Sequence, residues 1–290
     1  MSVDRLQEKI RKTKNPIAVE FDMRREHIPP AFLEEDPVFP SAFERYCKAL
    51  LDGMKDLVPA VRFSMNRAAV HGAEGVIVLK ELLRYASKAG FYVLLDAPVA
   101  MCAEDTEQFA QSLFSGDWKF DGLIVNAYIG SDAIRPYIQY FDESKRSLFV
   151  LIRSYNRSCQ ELQDLLTGSR LVYQAMADVV NRFAQVSTGR SGYGSVAAVA
   201  AANAPEALRT LREKYKYQFL LVDGYDAPNA NAKNCAFAFD RLGHGALVCV
   251  GHSVTAAWRE DPWTGEDYMQ SAVEAIQRTK KNLARYITIL

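Results

Sequence analysis

Charged and polar residues recur at the ends of short apolar runs throughout this 290-residue sequence. Asp96 and Asp223 are acidic residues of this kind, and Arg62 is a basic one. Acidic groups facing Arg62 across one cleft would form a charged, partly desolvated cluster, a setting typical of catalytic and binding sites. The other residues in such positions are Asp22, Asn126, Tyr128, Arg153, Asn156, Asn203, Asp226 and His252. Any of them alone could instead be a structural cap or a loop salt bridge, since strand ends also hold helix N-caps.

Eight apolar runs are candidate strands that would position these residues, at 16–22, 58–63, 91–96, 121–128, 147–153, 194–201, 218–224 and 246–252. Between them lie segments with helical periodicity, such as 41–55, 76–90, 103–114, 132–142, 205–215 and 232–242. Alternating strands and helices predict a parallel sheet, because parallel neighbours need crossover connections. An open doubly wound sheet would give the same pattern, but eight units of this length favour an α/β fold of the (β/α)8 TIM barrel type.

Barrels of this type use about 250 residues as one domain, so residues 1–290 are predicted to form a single domain. The segment 265–289 carries apolar residues near helical spacing and is predicted to be the last outer helix, closing the barrel. The Pro-rich stretch 30–40 is predicted to be a loop between the first strand and its helix.

Composition limits the classes of partner. The 35 Lys and Arg residues balance 35 Asp and Glu residues, so no net field draws the chain to nucleic acid or to an anionic membrane. The polar N-terminus lacks the apolar core of a signal peptide and no apolar run reaches about 18 residues, which predicts a cytoplasmic protein. The five cysteines show no CxxC pair, which predicts buried free thiols and neither disulfides nor zinc. No cofactor is predicted.

Three segments carry a resemblance to a known family. VNAYIGSDAIRPYI (125–138) resembles the N-P-Y-x-G-x-D-x-x-x-P-[FY] element of the longer, bacterial-type orotidine 5'-phosphate decarboxylases. LFVLIRSYN (148–156) is similar to their F-V-L-V-R-T-S-N element, and FLLVDGYDAPNANAKNCA (219–236) to L-x-P-G-x-G-A-Q-G-G-x-x-x-D-V-A. The ordered likeness runs from about residue 16 to residue 258. It implies a (β/α)8 barrel that binds a small molecule, such as a nucleotide or another phosphorylated compound.

The catalytic residues of that family are largely replaced. Its active site is a Lys, Asp, Lys, Asp network whose last three members form a D-x-K-x-x-D motif after the third strand. Here Asp96 stands at the first Asp of the motif, Pro98 at its Lys and Met101 at its second Asp, while Arg62 stands at the preceding Lys. The motif's Lys donates the proton that replaces CO2, whereas Pro98 has no side-chain donor and a guanidinium stays protonated. The resemblance therefore leaves Asp96 and Arg62 as the candidate catalytic residues.

The phosphate and base contacts are changed as well. The family binds phosphate with backbone amides and an Arg after the last strand, and His252 stands at that Arg. Asp223 stands where the family has Pro, and Tyr155 where a Ser contacts the base. In the seventh loop Pro228, Asn229 and Ala230 replace a glutamine and glycines. The predicted ligand-binding residues are Asp22, Asn126, Tyr128, Arg153, Tyr155, Asn156, Asp223, Asp226 and His252.

Three hypotheses about function remain open. In the first, the barrel has lost or greatly reduced decarboxylase activity and binds another small ligand or a protein partner. In the second, it is an active orotidine 5'-phosphate decarboxylase of pyrimidine biosynthesis whose charged groups arrive from elsewhere, with Glu104, Asp105 and Lys119 the nearest spare ones. In the third, it is a different lyase or other enzyme that uses Asp96, Arg62 and His252.

Two further expectations concern metal and assembly. A metal held by His252 with Asp223 and Asp226 is chemically conceivable, but the spacing matches no metal motif, so no metal is predicted. The family's active sites lie at a dimer interface, which implies a homodimer here. Met101 and Cys102 would then make an apolar contact between subunits, at the place where in the family the neighbouring subunit supplies the second Asp of the motif.

Overall fold

Eight parallel strands close into a barrel in the computed structural model, which describes residues 1–141 and 145–290. They are β1 (Ile17–Phe21), β2 (Ala60–Ser64), β3 (Tyr92–Asp96), β4 (Gly122–Asn126), β5 (Ser147–Arg153), β6 (Val196–Ala201), β7 (Leu220–Asp223) and β8 (Ala246–Val250). Each strand pairs in parallel with the next, and β8 pairs with β1 through Val248 and Ile17. The predicted (β/α)8 TIM barrel is confirmed.

The α-helices surround the barrel or cover its ends. They are α1 (Ser2–Thr13), α2 (Pro30–Glu35), α3 (Phe39–Met54), α4 (Met65–Ala69), α5 (Gly72–Lys88), α6 (Ala103–Phe114), α7 (Arg135–Ile138), α8 (Val172–Val186), α9 (Pro205–Lys214), α10 (Ala232–Ala236), α11 (His252–Thr255) and α12 (Tyr268–Ala284). Short 3-10 turns occur at Arg25–His27, Ser131–Ala133, Arg157–Glu161, Ala257–Arg259 and Gly265–Asp267, and a small hairpin pairs Leu166–Thr167 with Arg170–Leu171.

The core has two layers, because successive side chains of a strand point to opposite faces. Outward-facing residues such as Val19 and Val61 pack beneath the helices, whereas Ala18 and Ala60 belong to a cluster inside the barrel. The amphipathic helix α1 closes the amino end of the barrel with the apolar residues that it adds to this inner cluster, namely Val3, Leu6 and Ile10.

The inward-facing positions change from apolar to charged toward the carboxyl ends of the strands. Two residues beyond an apolar inner position, four strands carry a charged side chain: Ala18 is followed by Glu20, Ala60 by Arg62, Leu94 by Asp96 and Leu221 by Asp223. A period of two places both members of each pair on the same face of a strand. The charged residues therefore converge at one end of the barrel interior.

Several local expectations need correction. The predicted loop 30–40 contains α2 and the start of α3, since proline is well tolerated in the first turn of a helix. The predicted helix 232–242 ends at Ala236. The segment predicted as helix 132–142 contains only a 3-10 turn and the four-residue α7, and Asp142 lies outside the described residues. Cys102 is exposed, unlike the other four cysteines.

One outer helix was not recognised in the sequence. The residues of α8 that are buried, Tyr173, Met176, Ala177, Val180 and Ala184, follow the helical spacing closely, and that pattern could have revealed it. The segment predicted to close the barrel, 265–289, holds a 3-10 turn followed by α12. That residues 1–290 act as one domain stays a prediction. Across residues 1–141 and 145–290, no helix is both long and apolar enough to span a bilayer.

Candidate active site

A cavity of about 1070 Å³ opens at the carboxyl ends of the strands, and we call it the barrel cavity. Its floor is formed by the charged inward residues Glu20, Arg62, Asp96 and Asp223, together with Cys249. Loops that follow the strands form its wall. The carboxyl ends of the strands are where (β/α)8 barrels carry their active sites, so this cavity is the candidate active site.

Arg62 is the centre of the floor. Its Nη2 donates to Oδ2 of Asp96 at 2.6 Å, and its Nη1 donates to Oδ1 of Asp223 at 2.6 Å. Its Nε lies 3.7 Å from Oε1 of Glu20. That Nε is buried and has no hydrogen-bond partner among the described residues. One guanidinium is thus surrounded by three carboxyl groups, with two strong ion pairs and one looser one.

Burial and charge shift the pKa values of this cluster in different directions. Desolvation raises the pKa of Glu20 to about 7, because it outweighs the attraction of Arg62 and because neighbouring carboxylates add repulsion. Burial also raises the pKa of Asp96, and the ion pair with Arg62 offsets this only in part. Burial alone would lower the pKa of Arg62, but the facing carboxylates raise it well above its ordinary value. Glu20 is therefore a group of the floor that is suited to exchange a proton near neutral pH.

Glu20 was missed in the sequence because only residues at strand ends were considered. It lies one residue before the end of β1, and its side chain is 27% exposed toward the cavity. A signal was available, since Ala18 and Glu20 share one face of an otherwise apolar strand. A carboxyl group at such a position must either be paired or serve a function.

The floor also groups possible metal ligands, although its chemistry favours an arginine. Glu20, Asp223 and Cys249 offer three ligand atoms within 4.8 Å of one another. Nη1 of Arg62 lies 2.6 Å from Oδ1 of Asp223 and 3.6 Å from Sγ of Cys249, so a fixed positive charge already occupies this place. Burial also raises the pKa of the Cys249 thiol well above its ordinary value, which opposes the thiolate that a metal needs.

A second polar group of the cavity joins the loops after β7 and β8. Oδ2 of Asp226 accepts hydrogen bonds from the backbone N–H of Gly251 at 2.9 Å and of Ser253 at 3.2 Å, and Oδ1 accepts from the Ser253 hydroxyl at 2.5 Å. Nδ1 of His252 lies 3.4 Å from Oδ2 of the same carboxyl group. His252 is otherwise largely exposed, and its ring stacks at 6.1 Å on that of His27. The predicted ligand-binding residues His252 and Asp226 thus lie together. Asp223 is instead paired with Arg62, so the three do not form the metal site that the sequence left chemically conceivable.

Other predicted ligand-binding residues form the rim of the cavity. Asp22 is bound by Arg24 at 2.6 Å and by Arg67 at 3.0 Å. Arg153 makes a two-point ion pair with Asp164, at 3.1 and 2.8 Å. These contacts fix the two side chains while leaving them on the cavity wall.

The loop after β5 contributes the remaining rim residues. Tyr155 is 48% exposed, and its ring covers Gly224 so closely that any side chain there would collide with it. The Asn156 side chain accepts from the Ser154 hydroxyl at 2.6 Å, and Asn203 donates to the Tyr155 carbonyl at 3.0 Å. This loop therefore offers an aromatic surface and an amide to a ligand.

Two predicted ligand-binding residues lie outside the barrel cavity. Oδ1 of Asn126 accepts from the backbone N–H of Tyr128 at 3.0 Å. The hydroxyl of Tyr128 donates to the carbonyl of Ile152. Both side chains are thus used to connect the loop after β4 with β5, and neither reaches the cavity wall.

The positions of the replaced family residues also lie apart from the floor. Pro98 and Met101 are half-buried in the loop after β3, and neither lines the barrel cavity. Glu104 and Asp105 are exposed in the first turn of α6, as expected for acidic residues near the positive end of a helix. Lys119 precedes β4 and so lies toward the amino end of the barrel. None of these spare charged groups lines the barrel cavity.

Known proteins with similar sequences were found over nearly the whole length of the chain. No family profile matches the chain. The orotidine 5'-phosphate decarboxylase of Clostridium acetobutylicum is 27% identical over 262 residues, which cover 90% of this chain and 91% of the relative. That of Clostridium novyi is 25% identical over 284 residues, which cover 98% of both chains.

Solved structures show the same fold. The OMP decarboxylase of Leishmania donovani superposes with a TM-score of 0.73 at 24% identity, covering 97% of this chain and 98% of that one. Plasmodium berghei orotidine 5'-monophosphate decarboxylase gives a TM-score of 0.79 at 16% identity, covering 98% and 100%.

The fold and the site together define a class: a (β/α)8 barrel with a buried charged cluster at the carboxyl ends of its strands. Within that class, full-length similarity to several decarboxylases adds the sequence relationship. The chain is similar over nearly its whole length to orotidine 5'-phosphate decarboxylases, at 25–27% identity to these relatives.

Proposed function

We propose that this barrel has lost or greatly reduced the decarboxylation of orotidine 5'-phosphate and binds another small polar ligand in the barrel cavity. The observation that carries the proposal is the state of Arg62, which is held between Asp96 and Asp223 at 2.6 Å on each side. Among the described residues that line the cavity there is no lysine. The only fixed cation on the floor is thus already neutralised and cannot serve as a proton donor.

The charge balance of the floor also opposes decarboxylation. Loss of CO2 from the substrate requires that a developing carbanion be stabilised by positive charge or protonated by a positioned acid. Here one guanidinium faces three carboxyl groups. With Asp96 and Asp223 ionised, the cluster has a net negative charge, and a growing negative charge on a substrate would be repelled.

The test is turnover of orotidine 5'-phosphate by the purified protein, followed as loss of absorbance. The relative from Clostridium acetobutylicum provides the positive control. We expect a rate about 10²–10⁴-fold below that of the control, since a positioned general acid contributes about that factor. A rate comparable to the control would overturn the proposal. A variant carrying Pro98→Lys and Met101→Asp should gain turnover if the missing motif residues limit the rate.

Glu20 supports a second candidate function, acid–base catalysis in the barrel cavity, either of orotidine 5'-phosphate decarboxylation or of another reaction. Its carboxyl group faces the cavity, and its pKa is raised to about 7 by burial. A group of that kind is suited to moving protons at neutral pH. The discriminating variant is Glu20→Gln, which keeps the shape and removes the titration. If the wild type decarboxylates orotidine 5'-phosphate and Glu20→Gln does not, Glu20 is the donor that the motif lacks.

The proposed ligand contacts follow from the cavity wall. The residues that we assign to ligand binding are Asp22, Arg153, Tyr155, Asn156, Asp223, Asp226 and His252, all of which line the cavity. Homodimer formation, as in the family, is part of the same proposal. Light scattering at micromolar concentration should give twice the 32.5 kDa mass of one chain, and a monomer would contradict it.

A further inference from the structure

The carboxyl group of Asp226 occupies a position that suits an anion. It accepts from two backbone amides, those of Gly251 and Ser253, and from the Ser253 hydroxyl, with His252 3.4 Å away. These donors belong to the loop after β8 and the first turn of α11, whereas Asp226 comes from the loop after β7. In many (β/α)8 barrels the loops after the seventh and eighth strands form a phosphate-binding site. Here those donors are already satisfied by a side chain of the protein.

Space and charge near these donors also disfavour an added anion. A side-chain carbon placed at Gly251 would lie 3.4 Å from Oδ2 of Asp226 and 3.7 Å from Oε2 of Glu20. Two carboxyl groups thus flank the same glycine, and Asp223 adds a third on the floor. A phosphate that entered beside them would be repelled in a partly buried environment, where charges interact more strongly than in water. Arg157 and Arg259 also line the cavity, but both are exposed to solvent, where salt and water screen their attraction for an anion.

We propose that Asp226 is a built-in anion that takes the place of a ligand phosphate, so that the barrel cavity selects a non-phosphorylated polar ligand. This inference deepens the proposed function and depends on it, because a working decarboxylase of this family would have to hold the phosphate of its substrate. The ligand should carry hydroxyl or amine donors, since the carboxyl groups of Glu20, Asp223 and Asp226 line this part of the cavity. Asp226 is then the residue that determines specificity.

Inorganic phosphate is the first probe, because its use requires no knowledge of the ligand. Thermal unfolding is followed with increasing phosphate, against sodium chloride at matched ionic strength. A ligand that binds only the folded state raises the melting temperature. Phosphate should stabilise Asp226→Ala, whose amides are free, and should not stabilise the wild type. Asp226→Glu, which keeps a carboxyl group, and Glu20→Gln, which removes charge but leaves the amides occupied, should both behave as the wild type.

Uridine and uridine 5'-phosphate form the second pair of probes, since they differ only in the phosphate. In calorimetric titration the wild type should bind the nucleotide no better than the nucleoside. Asp226→Ala should bind the nucleotide at least about tenfold more tightly than the nucleoside, because the freed amides can then donate hydrogen bonds to the charged phosphate. If phosphate does not raise the melting temperature of the variant, and the variant does not bind the nucleotide more tightly than the nucleoside, Asp226 does not determine specificity and the inference fails.

A test on the wild type covers the case in which Asp226→Ala does not fold. In a crystal soaked with phosphate, the wild-type donors at Gly251 and Ser253 should remain on Asp226. Phosphate on those amides, with Asp226 displaced, would overturn the inference. Turnover of orotidine 5'-phosphate is measured on the same preparations, so that failure of the proposed function is seen separately from failure of the specificity assignment.

Discussion

The two ends of the barrel use the same eight strands in opposite ways. At the amino end, the inward residues are apolar, and Leu6 and Ile10 of α1 cover them completely. At the carboxyl end, the inward residues are Glu20, Arg62 and their partners, and the end stays open as a cavity. Apolar burial is favourable by itself, whereas burying charges costs free energy that their pairing repays only in part. The difference shows that the amino end is built for apolar packing, whereas the carboxyl end keeps charged groups beside an open cavity.

The largest effect is expected from breaking the charged end at its centre. Arg62→Leu should lower the free energy of unfolding by about 3–5 kcal/mol, because it leaves buried carboxylates without their cation. Urea denaturation would measure the change. The control Arg67→Leu removes a half-exposed partner of Asp22 and should cost no more than about 1 kcal/mol.

A combined variant separates stability from function at this end. Replacing Glu20, Arg62, Asp96 and Asp223 together by leucine should be much less harmful than Arg62→Leu alone, since a buried ion cluster can often be exchanged for apolar residues at little cost. If the combined variant is as unstable as Arg62→Leu, the charged cluster is needed for folding. The carboxyl end would then contribute to stability as the amino end does.

The amino end should show the ordinary response of a packed core. Leu6→Ala removes a fully buried side chain from the apolar face of α1 that covers the amino end of the barrel. It should lower the free energy of unfolding by about 2–5 kcal/mol, without changing the charges of the cavity. Glu8→Ala on the exposed face of α1 is the matched control and should change little. A small loss for Leu6→Ala would mean that the helix does not stabilise the barrel.

The pH dependence of stability should come from Glu20. Its pKa is about 7 in the folded protein and 4.5 as the ordinary value, so the folded state holds the proton more strongly. The associated stability is fully present below pH 4.5 and is lost as the pH rises through about 7, by an amount on the order of 3 kcal/mol. Denaturation at pH 5 and pH 8 tests this. In Glu20→Gln the loss between these values should shrink, and an unchanged loss would assign it to another group.

The smallest effect is expected outside the cavity. Tyr128→Phe removes the hydrogen bond to the carbonyl of Ile152 and should cost about 0.5–1.5 kcal/mol while leaving ligand binding unchanged. Tyr155→Phe, on the rim, should instead alter binding more than stability, since Tyr155 lines the cavity and is half-exposed. If Tyr128→Phe weakens ligand binding, Tyr128 contributes to the binding site after all.

Sequence reasoning worked best where a pattern repeats. The eight apolar runs located every barrel strand to within about two residues, because strands buried on both faces leave an almost continuous apolar signal. It worked less well for α2, where two prolines suggested a loop although the first turn of a helix accepts proline. The charged floor of the candidate site was predicted in part: Arg62, Asp96 and Asp223 were among the candidate residues, but Glu20, one residue before the end of β1, was not.

By itself the sequence determined the barrel and the presence of Arg62 and Pro98, and not lysines, at these positions, since strand periodicity and residue identity are local properties of the chain. Only the tertiary structure decided how the remaining charges are used. That Arg62 is shared by Asp96 and Asp223, and that Asp226 fills the amides after β8, depends on residues up to 161 positions apart. Closure of the barrel brings such residues within hydrogen-bond distance, and burial there makes their pairing stronger than it would be in water.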